Sequence, residues 1–85
     1  MPGALAAVLR KAPLTPEKVA FAWRLTVGPG VDRATTIALR GGVLYVRAKD
    51  PAWRREVERA ADVIRRRLQG LLGAEALRTI EVTLP

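Results

Sequence analysis

The sequence predicts an α+β fold, a three-stranded sheet with helices on one face. Three observations carry this. Apolar residues alternate in matching register on the two sides of Gly41-Gly42, two proline-led segments repeat apolar residues at helical spacing, and the chain closes on a third alternating segment. The predicted order is helix, strand, strand, helix, strand, with a short extra helix at the N-terminus.

That extra helix is expected over residues 3–11, where Leu5, Val8 and Leu9 share a stripe before Ala12-Pro13-Leu14 breaks it. Thr15-Pro16-Glu17 starts the next helix. Thr15 is a good N-cap, Pro16 occupies the first helical position, where its missing N–H costs nothing, and Glu17 complements the helix dipole. Val19, Ala22, Trp23, Thr26 and Val27 form its apolar face. Gly28-Pro29-Gly30 is expected to end or kink it, and one further turn can follow over residues 31–34.

The hairpin comes next. Residues 36–40 and 43–49 flank a Gly-Gly pair, which suits a two-residue turn of positive φ. Such a turn pairs Leu39 with Leu44 and Ile37 with Val46, placing these apolar residues on one face. The other face then carries Thr36, Ala38, Arg40, Val43, Tyr45, Arg47 and Lys49. Asp50-Pro51 caps a long helix of about five turns, on which Trp53, Val57, Ala60, Ala61, Ile64, Leu68, Leu71 and Leu72 follow spacings of three and four. A last strand over residues 79–84 turns Ile80, Val82 and Leu84 inward and Thr79, Glu81 and Thr83 outward. Trp23 and Trp53, both on apolar stripes, are expected in one shared core.

Size and composition bound the function. With 85 residues, 49% of them hydrophobic, the chain has material for one core, and residues 1–85 are expected to form one domain. The sequence has no Cys, His, Ser or Asn. Disulfides, thiolate or imidazole metal ligands, histidine bases and the commonest nucleophiles are thereby excluded. No enzyme, cofactor or metal site is expected. Arg10 and Lys11 follow the apolar start rather than precede it, the reverse of a signal peptide, and no apolar run can span a bilayer, so a cytoplasmic protein without membrane contact is expected.

The formal charge is +7, from 15 Lys+Arg against 8 Asp+Glu, and 12 of the 15 cations are Arg. Such an excess suits a polyanionic partner. Two surfaces are candidates for nucleic-acid contact. The open sheet face would group Arg40, Tyr45, Arg47 and Lys49, with cations for phosphates and one ring for a base. Around the long helix Arg55, Arg59 and Arg66 fall on one line. Asp62 stands at i,i+3 from Arg59 and i,i+4 from Arg66, so pairing can absorb part of that charge.

Taken together, several segments resemble one family. These are Trp23 followed by Val27-Gly28-Pro29, the hairpin Leu39-Arg40-Gly41-Gly42-Val43-Leu44-Tyr45-Val46, and Asp50-Pro51-Ala52-Trp53-Arg54-Arg55-Glu56-Val57. Leu71-Leu72-Gly73 with the strand after it completes the set. Over residues 16–83 the pattern resembles the DciA family of bacterial proteins. The resemblance implies a K-homology-like domain of the type II helix–strand–strand–helix–strand order. It also implies DNA binding and the loading or recruitment of the replicative helicase. The Gly-x-x-Gly loop of true K-homology domains is missing, so their nucleotide clamp does not carry over. The reading is a non-enzymatic, monomeric accessory protein of DNA replication, with single-stranded DNA and the replicative helicase as partners. An RNA-binding module of K-homology shape and a protein-interaction domain without a nucleic-acid role are the alternatives.

Overall fold

A computed structural model describes residues 14–85. The helix expected over residues 3–11 lies outside the described residues. The remaining elements are α1 (Pro16–Arg33), β1 (Thr35–Arg40), β2 (Val43–Ala48), α2 (Pro51–Leu72) and β3 (Thr79–Thr83), in the order expected.

Both helices start as their caps dictate. The Thr15 side chain accepts from the Lys18 N–H at 3.1 Å, and the Asp50 carboxylate accepts from the Trp53 N–H at 2.9 Å. At Gly28 α1 kinks rather than ends: φ is +84° there, a conformation open to glycine, and Pro29 follows without an N–H to give. One more turn carries the chain to Arg33. Trp23 fixes this geometry from the core. Its indole N–H donates to the Thr35 hydroxyl at 3.1 Å, which in turn donates to the Val31 carbonyl at 2.8 Å. A tryptophan 1% exposed thus has its polar atom satisfied.

The hairpin register pairs Ile37 with Val46 and Leu39 with Leu44, as the Gly-Gly turn requires, and Gly41 and Gly42 both have positive φ. β2 is the central strand. It pairs antiparallel with β1 and parallel with β3, so α2 serves as the crossover between parallel neighbours. The helices cover the face that carries Leu44, Val46, Ile80 and Val82. Val57, Ile64, Leu68, Leu71 and Leu72 of α2 and Val19, Ala22 and Trp23 of α1 complete the core.

Two core expectations are revised. Trp53 stands outside the buried cluster; it is half-buried near the start of α2, with the end of its ring about 4.0 Å from where a side chain on Gly30 would begin. One turn into a helix, it overhangs the kink of α1 rather than the sheet. Leu77, in contrast, is fully buried although it lies in the loop after α2, where no periodicity marks it. The Gln69 side-chain amide donates to its carbonyl at 2.9 Å and so anchors the loop.

Candidate nucleic-acid interface

The open face of the sheet follows from the register. Alternate residues point away from the helices, and the strands stack them in three rows. Arg40, Val43 and Thr79 form the row at the hairpin end. Ala38, Tyr45 and Glu81 form the middle row, and Thr36, Arg47 and Thr83 the third. Lys49 extends the series, since its N–H donates to the Ala34 carbonyl at 3.0 Å and continues the β1–β2 ladder. Arg40, Tyr45, Arg47 and Lys49 are all exposed, Tyr45 by 39%.

The rows separate these cations. Successive rows are two residues apart, roughly 7 Å, so Arg40 stands about 13 Å along the sheet from Arg47. Arg40 therefore does not share a cluster with Arg47 and Lys49. Two further cations, Arg33 and Arg78, lie near these ends. At the hairpin end, Arg78 reaches back so that its guanidinium donates to the Gly41 carbonyl at 2.7 Å and lies against Gly42. At the far end, Arg33 lines a hollow of about 170 Å³ together with Thr35, Thr36, Arg47 and Lys49. Arg33 is foreshadowed by its place just before β1, opposite the end of β2; Arg78 has no local signal at all.

Glu81 is the third residue missed. Its outward direction is legible, but its position beside Tyr45 depends on β3 pairing in parallel with β2. The middle row thus carries a ring and a carboxylate, with cations at either end. Among the described residues Arg40, Arg47 and Lys49 have no ion pair, because their strand neighbours are Thr, Val and Ala.

On the exposed face of α2 the arginines are engaged. Arg59 pairs with Glu56 at 2.9 Å, not with Asp62 as spacing alone suggests. Asp62 is already taken by Arg65 and Arg66. The hydrogen bond from Arg65 is the main cause that holds the Asp62 carboxyl below the usual carboxylate range; desolvation opposes it, and the charges of Arg66 and Arg65 with the hydrogen bond from Arg66 reinforce it. Arg54 approaches Glu58 at 3.7 Å. Arg55 has no ion pair among the described residues. The structure therefore keeps Arg55, Arg59 and Arg66 on one side of α2 but ties two of the three to carboxylates of the same helix.

For metal or acid–base chemistry the described residues offer no cluster of three or more carboxylates. Among them no helix is long and apolar enough to cross a membrane. A sequence model of the family described as "Dna[CI] antecedent, DciA" matches residues 3–82 of the 85. No curated protein matches the chain.

Proposed function

The chain belongs to the DciA family, and from that premise we propose that it is a DNA-binding accessory protein of bacterial replication that engages the replicative helicase and binds single-stranded DNA on its open sheet face. The family is related to loading of the replicative helicase, which supports a role in replication, and it is an accessory family rather than an enzyme class. DNA contact on this particular face and engagement of the helicase by this chain are our reading.

One observation carries the choice of face: Tyr45 is exposed between two cationic ends whose charges have no carboxylate partner. Phosphates would sit over Arg33, Arg47 and Lys49 at one end and over Arg40 at the other. A base would stack on Tyr45 between them, where Glu81 repels phosphate but accepts hydrogen bonds from exocyclic amino groups. The continuity of α2 from Pro51 to Leu72 supports the sheet over the helices as the contact surface. The Gly-x-x-Gly loop of a K-homology clamp has no counterpart within α2, which runs unbroken. We accordingly read the fold as K-homology-like in element order and distinct in how it holds nucleic acid.

The test is a titration of a fluorescent single-stranded DNA and an RNA of equal sequence with the full chain across a salt series. DNA binding that weakens steeply with salt supports the reading. Tighter binding of RNA moves the function to RNA, and negligible binding of both at ~50 mM salt removes nucleic acid from it.

A further inference from the structure

On the other side of the molecule from the sheet face, α1 and α2 leave an apolar groove between them. Two hollows, of about 590 and 200 Å³, share Thr26 and Arg67 and so run into one another along the helix pair. Their lining includes Leu25 and Leu71 at one end and Val63 near the other. Leu25 is 46% exposed and Val63 50%, and Phe21, one turn before Leu25, is 48% exposed. Large apolar side chains left this open in a row, rather than scattered, mark a contact surface.

The charge at the groove narrows the occupant. In the run Arg65-Arg66-Arg67, Asp62 takes the first two arginines. Arg67 has no ion pair among the described residues, and it is the residue common to both hollows with Thr26. The acidic residue in the lining, Glu56, is bonded to Arg59. An apolar trough with an unanswered guanidinium over it fits an apolar ridge edged by carboxylates.

We infer that this groove docks an amphipathic helix of a protein partner, one that presents aliphatic residues at i, i+3, i+4 and i+7 with Asp or Glu beside them. A second copy of this chain fits poorly, because a two-fold contact would set each Arg67 near its own mate between bodies of charge +7. Nucleic acid fits poorly too, since the lining offers phosphate a single unpaired guanidinium and the exposed ring nearby, Phe21, lies outside it. The inference is independent of DNA contact on the sheet and gives the protein-engaging half of the proposed function a surface.

Two synthetic helical peptides test it. Both have the same leucine ridge; one is flanked by Glu and the other by Lys. Each is titrated into the isotopically labelled full chain at ~0.15 M salt and followed by amide chemical shifts. The Glu peptide is expected to bind and to shift signals of residues 21–31 and 56–71 while leaving Tyr45 and Arg47 in place. The Lys peptide should bind at least about tenfold more weakly. Arg67→Glu should reverse that preference, and Leu25→Asp should lose both peptides. Both positions are exposed, so neither variant should unfold, and circular dichroism checks this. No binding of the Glu peptide, equal binding of the two, shifts confined to the sheet face, or a preference unmoved by Arg67→Glu would each overturn the inference, as would dimerisation through the groove. Single-stranded DNA affinity of the two variants, read in parallel, should stay within about threefold of the parent. If the peptides behave as stated while the parent binds no DNA, the nucleic-acid reading alone falls.

Discussion

The open face of the sheet and the outer face of α2 are both rich in arginine, but they hold their charge differently. On α2 three carboxylates stand three or four residues from arginines, so Glu56 meets Arg59 and Asp62 meets Arg65 and Arg66. On the sheet the neighbours of Arg40 and Arg47 are Val43, Thr36 and Thr83, which offer no charge. Binding to a polyanion depends on cations free to exchange counterions for phosphate, not on their number. The difference also concerns range. The ion pairs of α2 span three or four residues, whereas the middle row of the sheet joins Ala38, Tyr45 and Glu81 across two strand pairings and a helical crossover.

The largest expected effect removes the platform itself. Ile64 lies 7% exposed in the core beneath the sheet, and Ile64→Ala should cost about 2–5 kcal/mol in urea unfolding. DNA binding should be lost along the same denaturation curve, since the sheet face exists only in the folded chain. A change within about 0.5 kcal/mol would mean that α2 presents a different side to the core. Next, the triple change of Arg33, Arg47 and Lys49 to Ala should flatten the salt dependence of single-stranded DNA binding by about 2 in logarithmic slope, at ~0.7 per phosphate contact. Tyr45→Ala should act in the opposite manner, costing about 1–3 kcal/mol with the slope little altered, as lost stacking does. If the two sets of changes alter slope and affinity in the same proportion, the division into cationic ends and a stacking centre is wrong.

The range of each contact also explains what the sequence makes legible. Caps, helix faces and the Gly41-Gly42 hairpin register are local, so Thr15, Asp50, Ile37 and Leu44 announce themselves. The direction of every outward side chain on the three strands is equally legible from period-two alternation. Which strand becomes central is not, because residues 43–48 and 79–83 pair only after α2 has crossed over. Hence Glu81 reaches Tyr45 unannounced, whereas the two-row separation of Arg40 and Arg47 already follows from the hairpin register. Arg78 is found only through a contact to a turn 37 residues away. Trp53 misleads for another reason: apolar spacing says which side of a helix a residue occupies, but not whether the neighbouring element extends far enough to cover it.

On α2 the expectation is near silence. Changing Arg55, Arg59 and Arg66 to Ala together should alter the salt slope by less than about 0.7, the value of one single-strand contact. Two of these three residues are occupied by Glu56 and Asp62. A slope change of about 2 would place the nucleic acid on the helix and reverse the comparison.

The smallest effect separates engaged from available charge most directly. Asp62→Asn removes the carboxylate that Arg65 and Arg66 share without removing either cation. Asp62 titrates below the usual carboxylate range when folded. Its ion pairs therefore contribute stability that is present above the unfolded-state value and is lost as pH falls through the lower, folded value. The variant should be slightly less stable than the parent near neutral pH, and the two should converge in acid; unfolding midpoints across a pH series check this. The group is exposed, so the separation should be small. Single-stranded DNA then reads the same substitution a second way. If the outer face of α2 takes no part in binding, one added unit of net charge should tighten affinity by less than about twofold, and salt should screen even that. If the face is a site held in check by its own carboxylate, two released arginines should steepen the salt slope by about 1.4. That outcome would make α2 a binding surface masked by Asp62 rather than a solvated one.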